Sequence, residues 1–424
     1  MSLEEALDKL LGAAQPLVGQ QTVATLEADG RVLAQDIRSA LDVPGFDNSS
    51  MDGYAVNCVE VAAAVAAGQA LAVSQRIPAG HFGPALQPDS VARIFTGAPL
   101  PAGADAVVMQ EEVESGLDAQ GQGFARFQRA PEPGAFIRRR GEDVRQGDTV
   151  LPAGTRLGPA ELGLAASLGL AELPVRPRLR VALFSTGDEL VMPGEVAPQD
   201  MAPGAIYNSN RYFLAVLLKR LGCEVSDLGI VPDRREVTLA ALRQAAESHD
   251  LIVTSGGVSV GEEDHVKPAV QQLGGLDLWQ IAIKPGKPFA HGWIARAGQV
   301  GRCHFVGLPG NPVSSFVTFL LLVRPFLQRL QGVSSGLGVS HAAADGLPQA
   351  ISLPAHFDWP RADRRREFLR VRRNAAGGLD LFPNQSSGVL TSVAWGDGLV
   401  DLPAGRTIAR GDSVPFIPMA ALLG

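Results

Sequence analysis

The sequence has few cysteines, no long hydrophobic run and no surplus of basic residues. Its three cysteines, Cys58, Cys223 and Cys303, lie far apart without a CxxC pair, so we expect buried, reduced thiols rather than a disulfide framework or a zinc cluster. The most apolar stretch, residues 316–323, is far shorter than the roughly 20 residues that span a bilayer. The net charge of −7 disfavours a nucleic-acid-binding protein. We therefore expect neither membrane nor nucleic acid as a partner.

Length and composition favour several domains with many short strands. A chain of 424 residues is too long for one ordinary hydrophobic core and indicates two to four domains. The 48 glycines and 30 prolines indicate tight turns between short strands rather than a helical bundle. Residues 1–21 begin with a capped amphipathic helix that lacks the basic segment of a signal peptide. We expect this helix to pack on an α/β domain or on a linking region, in a cytoplasmic protein.

The order of apolar runs predicts a fold class of α/β plus β. Residues 177–331 alternate strand and helix patterns, which predicts a central parallel α/β sheet. Residues 48–140 carry short β-like runs with Gly and Pro between them, and we interpret them as a β-rich insert domain. The flanking ranges predict a discontinuous linking domain, a polar linker at 332–345 and a C-terminal β domain: 22–47 with 141–176, and 332–424.

The stretch LIVTSGGVSVGEEDH at residues 251–265 combines two halves that should bind ligands of opposite charge. Its Ser/Gly-rich loop follows a strand and offers backbone N–H groups to an anion such as phosphate, whereas three acids come next. A plain tight turn and a solvated helix start, where acids favour the helix dipole, are the alternatives. A divalent cation that bridges phosphate oxygens and carboxylates, as Mg²⁺ does, reconciles both halves. The residues concerned are Ser255, Gly256, Gly257 and Ser259 in the loop and Glu262, Glu263 and Asp264 after it.

Other strand ends of the same domain carry acids, lysines and rigid turns. Ligands of open α/β sheets lie outside the carboxyl ends of the strands, so these loops should meet at one edge. Acids for a metal and lysines for an oxyanion together predict a metal-assisted phosphate site, although each feature alone is more often structural. The motifs are STGDEL (185–190) with Glu189, GIVPDRRE (229–236) with Asp233, IAIKPGKP (281–288) with Lys284 and Lys287, and GLPGNPVSSF (307–316) with Pro309 and Asn311.

Charged and polar motifs also occur outside this domain. NSSMDGYAV (48–56) places Asp52 in a turn, and IFTGAPLPAG (94–103) contains Thr96. RRRGEDV (138–144) sets three arginines beside Asp143, and RADRRREFLRVRR (361–373) is strongly basic. Charge runs are usually solvated surface, but two basic runs in an acidic chain favour a local surface for anions.

Seven of these stretches, in this order, resemble the molybdopterin molybdenumtransferase family, whose fold is shared by the C-terminal domain of gephyrin. The resemblance covers essentially the whole chain. It implies an elongated four-domain homodimer with a molybdopterin-binding α/β domain, a C-terminal β-barrel-like domain and a cleft shared with the partner subunit. It implies insertion of molybdate into adenylylated molybdopterin with Mg²⁺-dependent release of AMP, the final step of molybdenum cofactor biosynthesis. The stretches are SSMDGYAV, IFTGAPLPAGADAVVMQEE, GEDV, STGDEL, SGGVSVGEEDHVK, IAIKPGKP and GLPGNPVSSF.

The resemblance also assigns roles to residues. Glu189, Asp233 and Asp264 are implied to be catalytic and to hold the metal and the substrate phosphates. Asp52 and Asp143 are implied catalytic residues from the other wall of the cleft. The implied substrate-binding residues are Thr96 on that wall, Ser255, Gly256, Gly257, Ser259, Lys284, Lys287, Pro309 and Asn311 in the α/β domain, and Arg370 and Ser387 in the C-terminal domain.

Two other functions fit the same residues. An adenylyltransferase or nucleotide pyrophosphatase on a similar α/β domain would consume ATP or another nucleotide without molybdate. A non-catalytic scaffold of the gephyrin type would bind a partner peptide without needing the acids. Only one α/β unit is visible in the sequence, so adenylylation is expected from a separate, transiently bound adenylyltransferase. Residue types do not distinguish molybdate from tungstate, because the two oxyanions have nearly the same size and charge.

Overall fold

A computed structural model describes residues 1–257, 265–296, 301–334 and 347–423. The predicted site residues Ser259 and Asp264, their neighbours Glu262 and Glu263, and most of the predicted linker at 332–345 lie outside these ranges. The chain forms two compact units. Unit 1 comprises Met1–Gln35, Ala153–Pro159 and Glu172–Gly424, and unit 2 comprises Asp36–Pro152 and Ala160–Ala171. The finer division into five domain ranges stays a prediction.

The elements of the described residues are short, as the Gly and Pro content predicts. The helices are α1 (Leu3–Ala13), α2 (Cys58–Ala67), α3 (Pro159–Ser167), α4 (Ser209–Arg220), α5 (Arg235–Ser248), α6 (Val266–Leu273), α7 (Pro312–Thr318), α8 (Arg324–Leu330), α9 (Thr391–Trp395) and α10 (Met419–Leu423). The strands are β1 (Gln21–Ala24), β2 (Ile37–Arg38), β3 (Asn48–Ser49), β4 (Gly53–Val56), β5 (Leu71–Ile77), β6 (Ser90–Ile94), β7 (Ala106–Met109), β8 (Val113–Leu117), β9 (Gly123–Phe127), β10 (Ile137–Arg138), β11 (Thr149–Leu151), β12 (Glu172–Val175), β13 (Arg180–Thr186), β14 (Leu190–Val191), β15 (Ile206–Tyr207), β16 (Glu224–Val231), β17 (Leu251–Ser255), β18 (Gly274–Gln280), β19 (Ile283–Lys284), β20 (Pro288–Ala295), β21 (Arg302–Leu308), β22 (Ile351–Pro354), β23 (Arg366–Arg373), β24 (Leu379–Leu381), β25 (Gly398–Leu402) and β26 (Ser413–Pro418).

The central sheet of unit 1 has the strand order β16-β13-β17-β21-β20-β18. The first four strands are parallel, and β17 is buried along its whole length, which explains why its sequence is a continuous apolar run. The last two strands are antiparallel, so the sheet is mixed rather than purely parallel as predicted. Strands β18 and β20 lie close together because glycine lacks a side chain: a Cβ at Gly274 in β18 would lie 1.9 Å from the Trp293 carbonyl oxygen in β20.

Helices cover both faces of this sheet. Successive strand residues point to opposite faces, so Leu183 packs in one core with α1, α4, α7 and α8. Phe184 belongs to a second core with residues of α5 and α6. The N-terminal helix therefore packs on the α/β domain. Its start is capped by Ser2 and Glu5, which exchange hydrogen bonds with each other's backbone N–H groups in the capping box that the sequence contains.

One helical run is longer than the sequence pattern predicted. Together, α7, a π-helical segment at Phe319–Val323 and α8 form an apolar helix from Pro312 to Leu330, 19 residues long. The helix extends beyond the apolar stretch at 316–323, through Ser314 and Ser315 on one side and Arg324 on the other. Among the described residues it is the one helix long and apolar enough to cross a membrane. However, 89% of its most apolar window is buried inside the protein, as in a core helix.

The C-terminal sheet also belongs to unit 1. Its strands run β19-β23-β25-β26-β22, and β24 pairs with β23. Strand β19 comes from the α/β part of the chain and pairs in parallel with β23, with Ile283 opposite Arg366. The residues Phe368 and Leu399 of this sheet share a core with the helices of the α/β domain. The predicted combination of an α/β domain with β domains is confirmed.

Unit 2 is built on a six-stranded sheet of order β7-β4-β6-β5-β9-β8. Helix α2 is formed by an alanine-rich stretch of this unit. Its N-cap is Asn57, whose side chain accepts hydrogen bonds from two backbone N–H groups, and its C-cap is Gly68, whose φ of 65° favours glycine.

All three cysteines of the chain are free and buried, as predicted. Burial raises the pKa of each thiol to about 12, so they are uncharged at neutral pH.

Candidate active site

A cleft of about 740 Å³ opens in unit 1 at the carboxyl ends of the parallel strands. Strand β13 ends at Thr186, β17 at Ser255 and β21 at Leu308, and the loops after these residues form the cleft walls. This confirms that the predicted loops share one edge of the sheet. The described lining residues are Thr186, Gly187, Glu189, Leu190, Ile206, Tyr207, Asn208, Ser209, Asn210, Asp233, Ser255, Gly256, Gly257, Pro288, Pro309, Gly310, Asn311, Pro312 and Gly388.

Seven of the predicted site residues meet in this cleft. They come from four loops that are separated by up to about 120 positions in the chain, so only the sheet brings them together. Their chemical roles stay predictions. The seven residues are Glu189, Asp233, Ser255, Gly256, Gly257, Pro309 and Asn311.

The two glycines after β17 are required by the geometry of the loop. Gly256 and Gly257 have φ angles of 92° and 67°, which L-residues with a side chain rarely adopt. A Cβ at Gly256 would lie 2.7 Å from the Thr186 carbonyl oxygen, and one at Gly257 would lie 2.6 Å from Val266 Cγ2. The loop therefore packs against the end of β13 with its backbone, and it leaves room for a ligand to approach closely.

Several polar groups at this cleft have no hydrogen-bond partner within the described part of the chain. They are Thr186 Oγ1, Asn208 Nδ2 and Asp233 Oδ1. Thr186 is 4% exposed and Asn208 is 2% exposed. Buried polar groups nearly always have partners, and leaving one unpaired costs about 1–3 kcal/mol. Donors and an acceptor left open on one cleft indicate a polar ligand.

Asn210 connects two walls of the cleft. Its Nδ2 donates hydrogen bonds to Ser255 Oγ at 2.8 Å and to the Gly310 carbonyl oxygen at 2.7 Å. Both N–H groups of one buried amide are thus used to hold the loop after β17 at a fixed distance from the loop after β21. Asn210 is therefore positioned to control the width of the cleft.

Sequence reasoning missed Asn208 and Asn210 as site residues. Neither lies in a motif singled out from the sequence, and Asn208 is the N-cap of α4, where its Oδ1 accepts from the Arg211 N–H. The available signal was that two asparagines flank Ser209 where a strand-and-loop segment meets a helix. One asparagine is sufficient for a cap, so Asn210 was available for a second role.

The predicted metal ligands are two carboxylates of this cleft and one residue outside the described ranges. Glu189 and Asp233 line the cleft, and Asp264 is the residue that is not described. Within the described residues, no group of three His, Cys, Asp or Glu side chains is placed to hold a metal ion. Carboxylate oxygens are the donors that Mg²⁺ prefers, and Asp233 Oδ1 has no partner in the described part of the chain, so the residues present fit this ion.

Lys284 is engaged in an ion-pair network with the C-terminal sheet. Its Nζ lies 2.9 Å from Glu367 Oε1 and 3.2 Å from Asp363 Oδ2, and it is absent from the described lining of the cleft. Partial burial lowers the pKa of Lys284, but its hydrogen bonds to the two carboxylates outweigh this, and the net pKa is raised. Lys287 is exposed and also lies outside the lining. The binding of substrate by either lysine stays a prediction.

We expect Lys284→Met to lower the free energy of unfolding by about 2 kcal/mol. Glu367 is 2% exposed, and breaking a buried ion pair costs about 3–5 kcal/mol, which we reduce because Lys284 is 39% exposed. Since the pKa of Lys284 is raised on folding, its stabilisation is complete below about pH 10 and decreases as the pH rises through the folded-state pKa. Urea unfolding at pH 7 measures the first effect, and a series of unfolding curves from about pH 10 to about pH 12 measures the second. The control is Lys287→Met, and an equal, small effect of both changes would disprove the structural role of Lys284.

Arg370 is buried within the C-terminal domain rather than on the cleft surface. The residue is 1% exposed, and its guanidinium donates to Ser392 Oγ and to the carbonyl oxygens of Phe368 and Ser386. Burial lowers its pKa to about 10, so it is still charged at neutral pH. The adjacent Ser387 carbonyl accepts a hydrogen bond from the Val313 N–H at the start of α7. The observed contacts of Arg370 thus hold the 385–388 loop, whose Gly388 lines the cleft.

The remaining predicted residues belong to unit 2. Asp52 Oδ1 accepts hydrogen bonds from the Thr96 N–H and from Thr96 Oγ1, both at 2.8 Å, which hold the pKa of the Asp52 carboxyl below its ordinary value. The structure therefore brings Asp52 and Thr96, which lie in two separate sequence motifs, into direct contact. Asp143 is exposed, and its backbone N–H donates to the Val43 carbonyl oxygen. The neighbouring basic run is partly neutralised, since Arg139 pairs with Asp47 and Arg140 with Asp42.

Three family models match successive parts of the chain. The MoeA N-terminal region (domain I and II) matches residues 1–169, and a probable molybdopterin binding domain matches residues 182–329. The MoeA C-terminal region (domain IV) matches residues 352–419. The cleft residues from Thr186 to Pro312 all fall inside the second match.

Full-length relatives agree with these matches. The chain is 38% identical to the molybdopterin molybdenumtransferase of Haemophilus influenzae, with 100% of both chains covered. It is 37% identical to molybdopterin molybdenumtransferase 2 of Mycobacterium tuberculosis, with 94% of both chains covered. Among solved structures, a molybdopterin biosynthesis moeA protein from Pyrococcus horikoshii OT3 matches with a TM-score of 0.80 at 26% identity, over 98% of this chain and 99% of that chain.

Proposed function

The chain belongs to the molybdopterin molybdenumtransferase family, and from this premise we propose that it inserts molybdate into adenylylated molybdopterin with Mg²⁺-dependent release of AMP. The family predicted from the motifs is thereby confirmed, and the protein is a transferase of molybdenum cofactor biosynthesis. The observation that supports the detailed reaction is the cleft of unit 1, which is lined by two carboxylates and by buried polar groups that have no partner among the described residues.

The charges of the proposed substrates explain why acids belong in an anion site. Molybdate is a dianion and the adenylylated pterin carries several phosphate charges, so their repulsion is roughly four times that of two unit charges. Mg²⁺ would be held by Glu189 and Asp233, with Asp264 as the predicted third ligand. When bound, the ion supplies positive charge that neutralises phosphate and molybdate oxygens. The acidic side chains then contact the metal rather than the substrate.

The other cleft residues are assigned binding and orienting tasks. Gly256 and Gly257 have no Cβ atoms, so a phosphate can approach their backbone N–H groups closely. Asn208 Nδ2, which has no partner among the described residues, would donate to a phosphate or pterin oxygen. The rigid Pro309–Asn311 segment, tied to the opposite wall through Asn210, keeps the reacting groups in a fixed orientation.

The proposal also includes a homodimer, a partner protein and a cellular location. A homodimer would let Asp52, Thr96 and Asp143 of one subunit complete the cleft of the other. A separate adenylyltransferase, bound transiently, would deliver the adenylylated substrate, and the described residues form one α/β domain of the type that binds it. The cytoplasm is the proposed location of both proteins.

An AMP-release assay tests this function. Purified protein is mixed with adenylylated molybdopterin, molybdate and Mg²⁺, and AMP is quantified over time. We expect AMP to be released only when all three are present. No AMP release from the complete mixture, by protein shown to be folded, would rule out the proposal.

We also expect Asn210→Ala to lower kcat/KM for AMP release about tenfold or more. Both hydrogen bonds between the loops after β17 and β21 are lost, and a misplacement of about 1 Å can reduce the rate about 100-fold. The neighbouring Ser209→Ala is the control, because Ser209 lines the same cleft but is exposed. Equal kinetics of the two variants would show that the connection does not matter.

A further inference from the structure

Unit 1 contains a second cavity, of about 920 Å³, at the opposite end of the central sheet. It is lined by Leu179, which precedes β13, and by Asp250, which precedes β17. The strand β13 has seven residues, and each residue advances about 3.3 Å, so the two ends of the sheet lie about 20 Å apart. The cavity is therefore separate from the candidate active site.

One face of three neighbouring strands supplies an aromatic wall. Trp279 lies opposite Phe289 in the β18–β20 pair, and Trp293 lies opposite His304 in the β20–β21 pair. Since side chains alternate between faces, this register places Trp279, His291, Trp293 and His304 on the same side. The rings follow one another at centroid distances of 5.8 Å from Trp279 to His291 and 6.0 Å from His291 to His304. Trp279 and His291 are buried in this row, whereas Trp293 is 36% exposed, so Trp293 is the ring that a flat ligand can reach most easily.

The two histidines of this wall have unpaired nitrogens. His291 is 7% exposed, and its Nε2 has no hydrogen-bond partner among the described residues. The same is true of Nδ1 of His304. Burial lowers the pKa of both imidazoles to about 4, so both are neutral at pH 7. A neutral imidazole nitrogen donates or accepts according to its tautomer, which suits the ring nitrogens of a heterocycle.

The rim of the cavity carries charges that are not all used internally. Arg296 is occupied, because it donates to Asp250 and to the His249 carbonyl oxygen. Arg302 lies over Trp293, with its guanidinium carbon 5.1 Å from the ring centroid. Besides the Arg296–Asp250 pair, the described lining contains two cations, Lys9 and Arg302, and one acid, Asp277. The rim therefore has net positive charge available for an anionic group.

We propose that this cavity binds a planar nitrogen heterocycle with an anionic substituent, the chemistry shared by nucleotides and phosphorylated pterins. The aromatic wall receives the ring, the unpaired histidine nitrogens hydrogen-bond to it, and Lys9 and Arg302 attract the anion. A metal ion fits less well, because no group of three His, Cys, Asp or Glu side chains occurs among the described residues.

Calorimetric titration with two probes, AMP and neopterin monophosphate, tests the site and separates the two ligand sources. The full-length protein is used with three changes at the cavity. A Cβ at Gly12 meets no atom within 4 Å, and Gly12 lines the cavity, so Gly12→Leu fills part of it while Gly12→Ala is the matched control. His291→Phe keeps the ring shape and removes the nitrogen.

We expect at least one probe to bind below about 1 mM, and the probe that binds more tightly identifies the source. We expect this binding to be at least tenfold weaker in Gly12→Leu and His291→Phe and unchanged in Gly12→Ala. Glu189→Gln should keep it, because Glu189 belongs to the other cleft. The proposal is overturned if neither probe binds, or if Gly12→Leu binds both as the wild type does. Gly12→Leu should retain AMP release, which shows that it is folded and that the two sites are independent.

Discussion

Glu189→Gln is expected to slow AMP release about 100-fold or more and to leave the melting temperature nearly unchanged. The change removes one negative charge from the proposed metal-binding edge, and loss of one preorganised charged group typically costs about 10²–10³ in rate. The side chain is exposed at the mouth of the cleft, so folding should depend little on it. The measurements are the kcat of AMP release at saturating Mg²⁺ and a thermal melt.

The adjacent acid provides the matched control. Asp188 is exposed and absent from the described lining of the cleft, so Asp188→Asn should change the rate less than about threefold, as screened surface charges do. A raised Mg²⁺ requirement in Glu189→Gln alone would support its place near the metal. Similar rates for the two variants would contradict the role of Glu189.

Gly256→Ala is expected to reduce AMP release about 100-fold and also to destabilise the protein by about 2 kcal/mol. The φ of 92° is strained for any residue with a Cβ, at a cost of about 1–2 kcal/mol. The new Cβ would also lie 2.7 Å from the Thr186 carbonyl oxygen, a backbone atom that cannot move without shifting β13. The loop must therefore move away from its present position, and the phosphate-binding backbone moves with it.

A second glycine of the same cleft separates this effect from the general cost of adding a methyl group. Gly310 lines the cleft, but a Cβ there meets no atom within 4 Å. We expect Gly310→Ala to retain activity within about threefold and stability within about 0.5 kcal/mol. Chemical denaturation and steady-state kinetics measure both quantities. If Gly256→Ala behaved like Gly310→Ala, the close approach of the loop would be irrelevant to function.

Much of the α/β domain was predictable because its strands are buried on both faces. Parallel strands of this kind are continuous apolar runs, and residues 251–255 are recognisable for that reason. The rule that ligands lie at the carboxyl ends of the strands led us to place Glu189, Asp233 and Gly257 at one edge of the sheet, and all three line the same cleft. The antiparallel pair of β18 and β20 was not predicted. Its glycines interrupt the apolar pattern that indicates a strand, although in the structure they allow the two backbones to pair closely.

The partners of charged residues were the least predictable part. Lys284 in the KPGK motif was interpreted as a substrate ligand, but its observed partners, Asp363 and Glu367, lie about 80 positions further along the chain. Arg370 likewise looked like an anion-binding residue, whereas its observed donors are directed to Ser392 and two backbone carbonyl groups. Sequence spacing indicates which charges are present, and only the fold determines which of them are already neutralised or used.

The asparagines of the cleft show a related difficulty. A polar residue at a helix start is explained locally as a cap, so there was no reason to look for a second role in Asn210. Its hydrogen bonds to Ser255 and Gly310 span 45 and 100 positions. Long-range contacts of this kind depend on the strand order of the sheet, which the sequence pattern alone did not determine.

The most direct test of the proposed function is the ratio of molybdenum bound to the pterin to AMP released in a single turnover. Protein, adenylylated molybdopterin and Mg²⁺ are incubated with and without molybdate, and both products are quantified from the same sample. The proposed insertion reaction predicts one AMP per molybdenum incorporated and almost no AMP without molybdate. Equal AMP release in the absence of molybdate would contradict it and would identify the protein as a nucleotide pyrophosphatase instead.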